Sequence, residues 1–126
     1  MAGEATGSVR GTLRLEGLCV FVAASIAYYK LSFGWGKFAI FFLTPDLSFF
    51  GYLAGPRTGA ATYNALHSYI GVIICGMIGV LMSSPMLLCA ALIWCAHVGF
   101  DRALGYGLKY AAGFGFTHLG VTGRQT

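Results

Sequence analysis

Apolar residues fill four long stretches of the chain, and short segments containing glycine, proline or serine separate them. The stretches cover residues 15–31, 35–54, 60–83 and 85–105. Each is close to or above the roughly 20 residues that an α-helix needs to cross the hydrocarbon of a bilayer. Short connections between long helices favour antiparallel neighbours. The pattern therefore predicts an all-α, polytopic membrane protein, an antiparallel bundle of four transmembrane helices.

The amino-acid composition also indicates that lipid surrounds these stretches. Of the 126 residues, 57% are hydrophobic and 10% are charged, whereas a soluble domain has about 25% charged residues. So little polar surface excludes a soluble globular domain, a disordered chain and a disulfide-built secreted module. The four cysteines lie within the apolar stretches without a Cys-x-x-Cys pair. We interpret them as packing residues and not as thiolate metal ligands.

The cations divide unequally between the two sides of the predicted bundle. We expect a flexible N-terminal tail at 1–12, a transmembrane domain at 13–110 and a C-terminal tail at 111–126. Four spans put both termini and the second loop on one side. That side carries Arg10, Arg14, Arg57, Arg102, Lys109 and Arg124, against Lys30 and Lys37 opposite. The positive-inside rule then places both termini in the cytoplasm, and we expect the protein in a cytoplasmic (inner) membrane.

Partners follow from the same distribution. The cations flank the spans and form no continuous basic stripe, so we expect no nucleic-acid partner. The bilayer itself is the expected partner, together with a second copy of the chain or a membrane complex, since abundant glycine favours helix association.

Polar residues inside the stretches recur at one depth. Alternate spans run in opposite directions, and their polar residues come early in the first and third and late in the second and fourth. All of them thus reach the inner half of the bilayer. An unpaired Asp at mid-helix costs roughly 2.5–3.5 kcal/mol, so these groups must be paired, protonated, hydrated or bound to metal. They are Glu16, then Asp46, then Asn64, His67 and Ser68, and finally His97 and Asp101.

Two local patterns bear on this polar set. Thr44-Pro45-Asp46 combines an N-cap residue, a proline suited to the first helical position and an acid suited to the first turn. We expect span two to be kinked or broken near Pro45, either as a restarted helix or as a proline kink with Asp46 capping freed amides. Small residues follow His67 at four-residue intervals, which marks the protein-facing side of span three. They are Gly71, Cys75, Gly79 and Ser83.

His and carboxylate ligands on facing helices are a recurring way for a helix bundle to hold metal. We predict Asp46, His67, His97 and Asp101 as metal ligands, supported by Asn64 and Ser68. A nitrogen and oxygen set suits Zn, Mn or Fe. Asp46 or Glu16 would serve as bridging ligand or general base. A structural polar network and a proton or ion path are the alternatives.

Three further residues have two interpretations each. Arg57 and Arg102 would hold an anionic headgroup or phosphate at the mouth of the site, or serve as flanking cations with Arg102 beside Asp101. His118 would fold back as a lid or ligand, or lie in an exposed tail.

Longer runs resemble a known family. Residues 63–69 (YNALHSY), 97–109 (HVGFDRALGYGLK) and 117–120 (THLG) resemble the domain of unknown function 4260 family of small bacterial integral membrane proteins. The likeness extends from Glu16 to about Gly120. It implies a membrane architecture and singles out these polar residues, but it implies no reaction.

A more distant likeness concerns chemistry. Pro45-Asp46, His67-Ser68 and the pair His97 and Asp101 are similar to motifs of integral-membrane metal-dependent hydrolases. The first His of that family's His-x-x-x-His-Ser motif is missing here, with Asn64 near its place, and Glu16 replaces an early His. The likeness implies a metal-dependent hydrolase of a lipid or amphipathic substrate. The alternative is a non-enzymatic small transporter or accessory subunit that uses the polar residues for protons or structural pairing.

Overall fold

The computed structural model describes residues 7–106 apart from the side chain of Phe49, together with the backbone of 116–117 and 120–121. Two short strands, β1 (Phe116–Thr117) and β2 (Gly120–Val121), pair antiparallel. The other described elements are helical. They are α1 (Gly7–Lys30), α2 (Trp35–Phe41), a 3-10 helix (Thr44–Ala54), α3 (Pro56–His67), α4 (Tyr69–Leu81) and α5 (Pro85–Leu104).

Helix α5 lies between α1 and α4 and packs against both. The contact with α1 is closest where two glycines meet. A Cβ at Gly99 would lie 2.7 Å from the Phe21 nitrogen and 2.8 Å from the Gly17 carbonyl oxygen, and a Cβ at Gly17 would lie 2.4 Å from Arg102 Cβ. Only glycine at both positions lets the two backbones approach this closely.

The other side of α5 receives the small-residue face of α4. Gly71 lies under the ring of Trp94, and Gly79 lies against Leu88. Between them the Cys75 thiol donates a hydrogen bond to the Leu87 carbonyl at 3.5 Å. The prediction that this stripe faces the protein interior is confirmed for Gly71, Cys75 and Gly79, whereas Ser83 is exposed beyond the end of α4.

Helices α1 and α5 are long and apolar enough to cross a membrane, and α3 with α4 makes a third candidate if the pair is one bent span. That pair bends by 42° at Ser68, whose backbone is extended. The described residues therefore contain two or three candidate spans, and the four-span bundle is not confirmed. Exposed side chains on α1 and α4 agree with lipid surroundings. They include Leu15, Leu18, Val22, Ile26, Ile70, Ile73 and Met77.

The predicted second span is not one continuous helix. Helix α2 ends at Phe41, and the chain continues from Thr44 as a 3-10 helix with Pro45 in its first turn. The break expected near Pro45 is present, because proline has no amide hydrogen to continue the α-helical ladder. The 3-10 helix then folds against α3, with Gly51 against Thr62 and Tyr52 against Gly59.

One further boundary differs from the sequence interpretation. Helix α1 begins at Gly7, so residues 7–12 of the predicted N-terminal tail are helical. Arg14 Nε donates to the Ala103 carbonyl at 3.0 Å, which ties the start of α1 to the end of α5. Most of the predicted C-terminal tail, including His118, lies outside the described residues.

Candidate metal centre

Four predicted ligands come from three different elements. His97 and Asp101 are four residues apart on the continuous helix α5, so they lie on one helix face. His67 is the last residue of α3, immediately before the bend at Ser68. Asp46 is in the first turn of the 3-10 helix, after the break that Pro45 introduces. Folding brings all four to one place, and their ligand atoms lie within 4.8 Å of one another.

The interatomic distances are short and nearly uniform. His67 Nε2 lies 3.1 Å from Asp46 Oδ1 and 3.4 Å from Asp101 Oδ2. His97 Nε2 lies 3.2 Å from Asp46 Oδ1 and 3.1 Å from Asp101 Oδ2. The two imidazole Nε2 atoms are themselves 3.1 Å apart. Both rings thus direct the same nitrogen at the same small volume.

The tautomer of His67 follows from its other contact. His67 Nδ1 lies 3.0 Å from the Tyr63 carbonyl oxygen, and since a carbonyl oxygen only accepts, Nδ1 carries the hydrogen. In the neutral ring Nε2 then presents a lone pair to two carboxylates and to the other imidazole. Such an assembly of acceptors is repulsive unless a proton or a metal cation lies among them.

The donor set fits a small divalent cation. Ligands about 2.0–2.1 Å from a tetrahedral zinc are separated by about 3.3–3.5 Å, and the distances above differ from that by a few tenths of an ångström at most. Two imidazoles and two carboxylates are also acceptable to Mn and Fe. The prediction that these four residues come together is confirmed, whereas metal binding by them stays a prediction.

Exposure distinguishes one ligand from the other three. The side chains of His67, His97 and Asp101 are 3%, 2% and 15% exposed, whereas that of Asp46 is 33% exposed. The cluster is therefore closed on the α5 side and open at Asp46. A catalytic metal site keeps such an open position for water, whereas a structural one is closed by protein ligands.

Neighbouring groups hold the two imidazoles in place. The Tyr63 ring stacks on His67 at 3.8 Å between centroids, and the Phe42 ring meets His97 edge-on at 5.2 Å. Arg102 Nη2 donates to the His67 carbonyl at 2.9 Å, and Trp94 Nε1 donates to the Leu66 carbonyl at 2.6 Å. These donors satisfy carbonyls that the bend at Ser68 frees from the helical ladder.

The predicted general base Glu16 lies outside the cluster. Its neighbour Gly17 occupies the contact with α5, and successive helical residues point about 100° apart. The Glu16 side chain is accordingly exposed. The sequence predicts the depth of Glu16 in the membrane, but not the direction in which its side chain points from α1. That direction excludes Glu16 from the cluster.

Of the remaining predicted residues, some lie near the cluster and others lie away from it. Arg102 reaches the site through its bond to the His67 carbonyl, whereas Arg57 is exposed. Asn64 is partly buried one turn before His67, and Ser68 forms the bend without a side-chain cap. Cys19 is exposed on α1, whereas Cys89 is buried, and neither is part of the cluster.

Sequence reasoning missed the contributions of Tyr63, Phe42 and Trp94 and the bond made by Arg102. Tyr63 lies four residues before His67 and so on the same face of α3, and that spacing was available as a signal. The bond from Arg102 to the His67 carbonyl had no such signal, because it depends on the bend at Ser68.

Comparison with known proteins gives a family and no activity. No curated protein and no solved structure matches the chain. The family model described as "Domain of unknown function (DUF4260)" matches residues 10–122, nearly the whole chain and all four ligands of the cluster. The chain therefore belongs to the DUF4260 family.

Proposed function

We propose that the protein is a membrane-embedded, metal-dependent hydrolase that acts on a lipid or other amphipathic substrate from the cytoplasmic leaflet. One observation carries the proposal: Nε2 of His67 and Nε2 of His97 lie 3.1 Å apart, and both face carboxylates. His67 Nε2 and the two carboxylates are acceptors, and their convergence with His97 Nε2 in an apolar bundle is costly unless a proton or a metal cation joins them. A divalent metal satisfies all four at once, whereas a single proton satisfies two.

The unequal exposure of the ligands suggests their roles. His67, His97 and Asp101 would hold the ion from the closed side, and Asp46 would be a fourth ligand or a general base on the open side. Zinc, manganese or iron would supply Lewis acidity and lower the pKa of a bound water. Asp46 would accept the proton of that water. Hydrolysis would add the elements of water across a carboxylic or phosphoric ester bond of the substrate, and Asp46 would return its proton to the alcohol that leaves.

Lipid access requires a membrane orientation. Helix α2 and the 3-10 helix have 7 and 11 residues, which correspond to about 10 Å and 22 Å of rise. We propose that together they make the second of four crossings, which places both termini in the cytoplasm of a bacterial cell. Arg10, Arg14, Arg57 and Arg102 would then lie at the cytoplasmic face.

Metal analysis of the full chain in nanodiscs tests the proposal. We expect about one Zn, Mn or Fe per chain in the native protein, and loss of that metal in His97→Gln and Asp101→Asn. Glu16→Gln is the matched control, because it makes the same acid-to-amide change outside the cluster. Circular dichroism establishes that each variant is folded. A folded native chain without metal, or metal retained in both cluster variants, contradicts the proposal.

Hydrolysis is measured on the same samples. Nanodiscs of phosphatidylethanolamine and phosphatidylglycerol are incubated with the metal-loaded protein, and released fatty acids and headgroups are followed by mass spectrometry. We expect release by the native chain and by Glu16→Gln, but none by Asp46→Asn. Equal release by Asp46→Asn would remove this residue from the proposed mechanism.

The same short contact supports a second candidate. A separation of 3.1 Å between two imidazole nitrogens is also that of a hydrogen bond with one shared proton. The protein would then be a proton-handling transporter or an accessory subunit, in a homo-oligomer or a membrane complex. In that case the native chain stays metal-free in metal-supplemented medium, and chelators leave its melting temperature unchanged.

A further inference from the structure

An apolar cavity of about 590 Å³ lies beside the His and Asp cluster. Its walls come from α2, the start of the 3-10 helix, the end of α3 and the first half of α5. Along α5 it extends from Pro85 to Trp94, which is about 13 Å. The volume is within the range of cavities that bind small molecules.

The cavity is next to the cluster along the chain, although none of the four predicted ligands is among its lining residues. Pro45 and Leu66 line it, and the next residues in the chain are the ligands Asp46 and His67. Trp94 also lines it, about one turn before His97 on α5. Asp46 is in addition the most exposed of the four ligands. A molecule in the cavity would therefore lie against the residues that immediately precede Asp46 and His67.

The lining specifies the chemistry of an occupant. Phenylalanine, leucine, isoleucine, methionine and tryptophan side chains dominate it, and Lys37 is the one ionisable cation among the lining residues that the structure describes. Lys37 is on α2, well before the break that leads to Asp46. The part of the cavity next to the cluster is thus uncharged. In a bilayer such a cavity is filled from the surrounding hydrocarbon.

We propose that this cavity binds one hydrocarbon chain of a membrane lipid and thereby places the polar linkage of that lipid at Asp46. The proposal rests on the proposed function for its role in hydrolysis, but chain binding stands or fails separately. The head end of the chain lies at the cluster, and the tail extends along α5 toward Met86.

A second cavity of about 570 Å³ provides the control. It lies among α1, α4 and α5, and its lining includes Val72, Val80 and Ala91 but no residue adjacent in the chain to any of the four predicted ligands. Ala90 of the first cavity and Val80 of the second are both exposed. A tryptophan at either position can therefore fill its own cavity without entering a packed interface.

The test uses a phospholipid with a diazirine near the middle of one acyl chain, in nanodiscs with the full protein. After irradiation, labelled peptides are quantified by mass spectrometry, and metal content is measured on the same samples. We expect labelling of residues 85–94 in excess of the lipid-facing surface of α1. Ala90→Trp should lower this labelling at least about tenfold, as loss of contact with two methylenes would. Val80→Trp should leave it unchanged.

The outcomes separate the two proposals. Labelling that is unchanged in Ala90→Trp, or equally reduced in Val80→Trp, overturns the chain-binding proposal, whatever the metal content. Selective loss in Ala90→Trp with native metal content supports it. Selective loss in a protein that never binds metal supports chain binding and contradicts the hydrolase.

Discussion

The four ligands come as two pairs with very different support. His97 and Asp101 are on one unbroken helix that packs against neighbours on both sides. Asp46 and His67 are at the two ends of a folded-back segment, one after a helix break and the other before a bend. The first pair needs only helical geometry to be placed. The second pair depends on tertiary contacts. We call His97 and Asp101 the rigid half of the cluster, because one helix places them, and Asp46 and His67 the adjustable half, because their placement depends on how the chain folds back.

This difference suggests how such a site combines order with access. The rigid half is nearly buried, while Asp46 on the adjustable half is one-third exposed. Broken backbone at membrane depth is tolerated where it lines a cavity or is buried in protein. The break at Pro45 lies beside the apolar cavity that Thr44 and Pro45 help to line.

The largest expected effect comes from breaking the rigid half. Gly99→Ala places a Cβ 2.7 Å from the Phe21 nitrogen, so α1 and α5 must separate. Overpacking of this kind costs about 1–3 kcal/mol or more, and the variant should melt far below the native chain or fail to fold. Gly11→Ala is the control, because no heavy atom lies within 4 Å of its Cβ. Equal melting temperatures of Gly99→Ala and Gly11→Ala would contradict the close contact between α1 and α5.

The next effect distinguishes the two pairs. Asp101→Asn removes a ligand from the rigid half, and metal affinity should fall more than the roughly 10–100-fold that loss of a supporting group costs. Asp46→Asn should weaken binding by about tenfold or less, yet lower hydrolysis by about 100-fold or more. Chelator competition and product release measure the two quantities. The reverse order of affinities would mean that Asp46, and not Asp101, is the stronger ligand.

A smaller effect concerns the link between the halves. Arg102→Gln removes the charged donor to the His67 carbonyl, which should lower metal affinity about tenfold while the helices stay folded. Arg57→Gln changes an exposed arginine and should have no effect. Chelator competition on both variants measures this. An unchanged affinity in Arg102→Gln would show that the bend holds His67 without help from Arg102.

The smallest effect concerns two helix starts. Ser84 caps α5 by accepting a hydrogen bond from the Leu87 amide at 3.3 Å, whereas Ser68 makes no side-chain cap at the start of α4. Ser84→Ala should cost about 1 kcal/mol of unfolding free energy, and Ser68→Ala should cost a few tenths at most. Denaturant titration in detergent compares them. A larger loss in Ser68→Ala would indicate that its hydroxyl supports the site, as the sequence analysis expected.

The convergence of the four predicted ligands could be predicted from the sequence, because counting residues along a span gives the depth of each one. Asp46, His67, His97 and Asp101 were matched by residue count alone, and the stripe of small residues gave the direction of His67. Glu16 was matched in depth as well, but its direction depends on Gly17 facing α5, and no periodic pattern marked that contact. Depth is a local property, whereas direction around α1 is set by tertiary packing.

The shape of the broken segments was predictable only in part. Pro45 predicts a break in the helix of the second stretch, but proline alone does not determine whether an α-helix or a 3-10 helix follows. The bend at Ser68 has no glycine or proline within three residues on either side except Gly71. Its extended backbone is stabilised by donors from α5, which are far away in sequence.

Those donors have a consequence for where His67 lies across the bilayer. Trp94 and Arg102 flank His97 on α5, and each donates to a carbonyl beside the bend. Sliding α3 and α4 by one residue along α5 would break both hydrogen bonds and leave bare carbonyls in hydrocarbon. The depth of the His67 imidazole in the bilayer is therefore fixed relative to α5, the helix that carries His97. Changes in membrane thickness that tilt the spans should accordingly move the two rings together and preserve the distance between them.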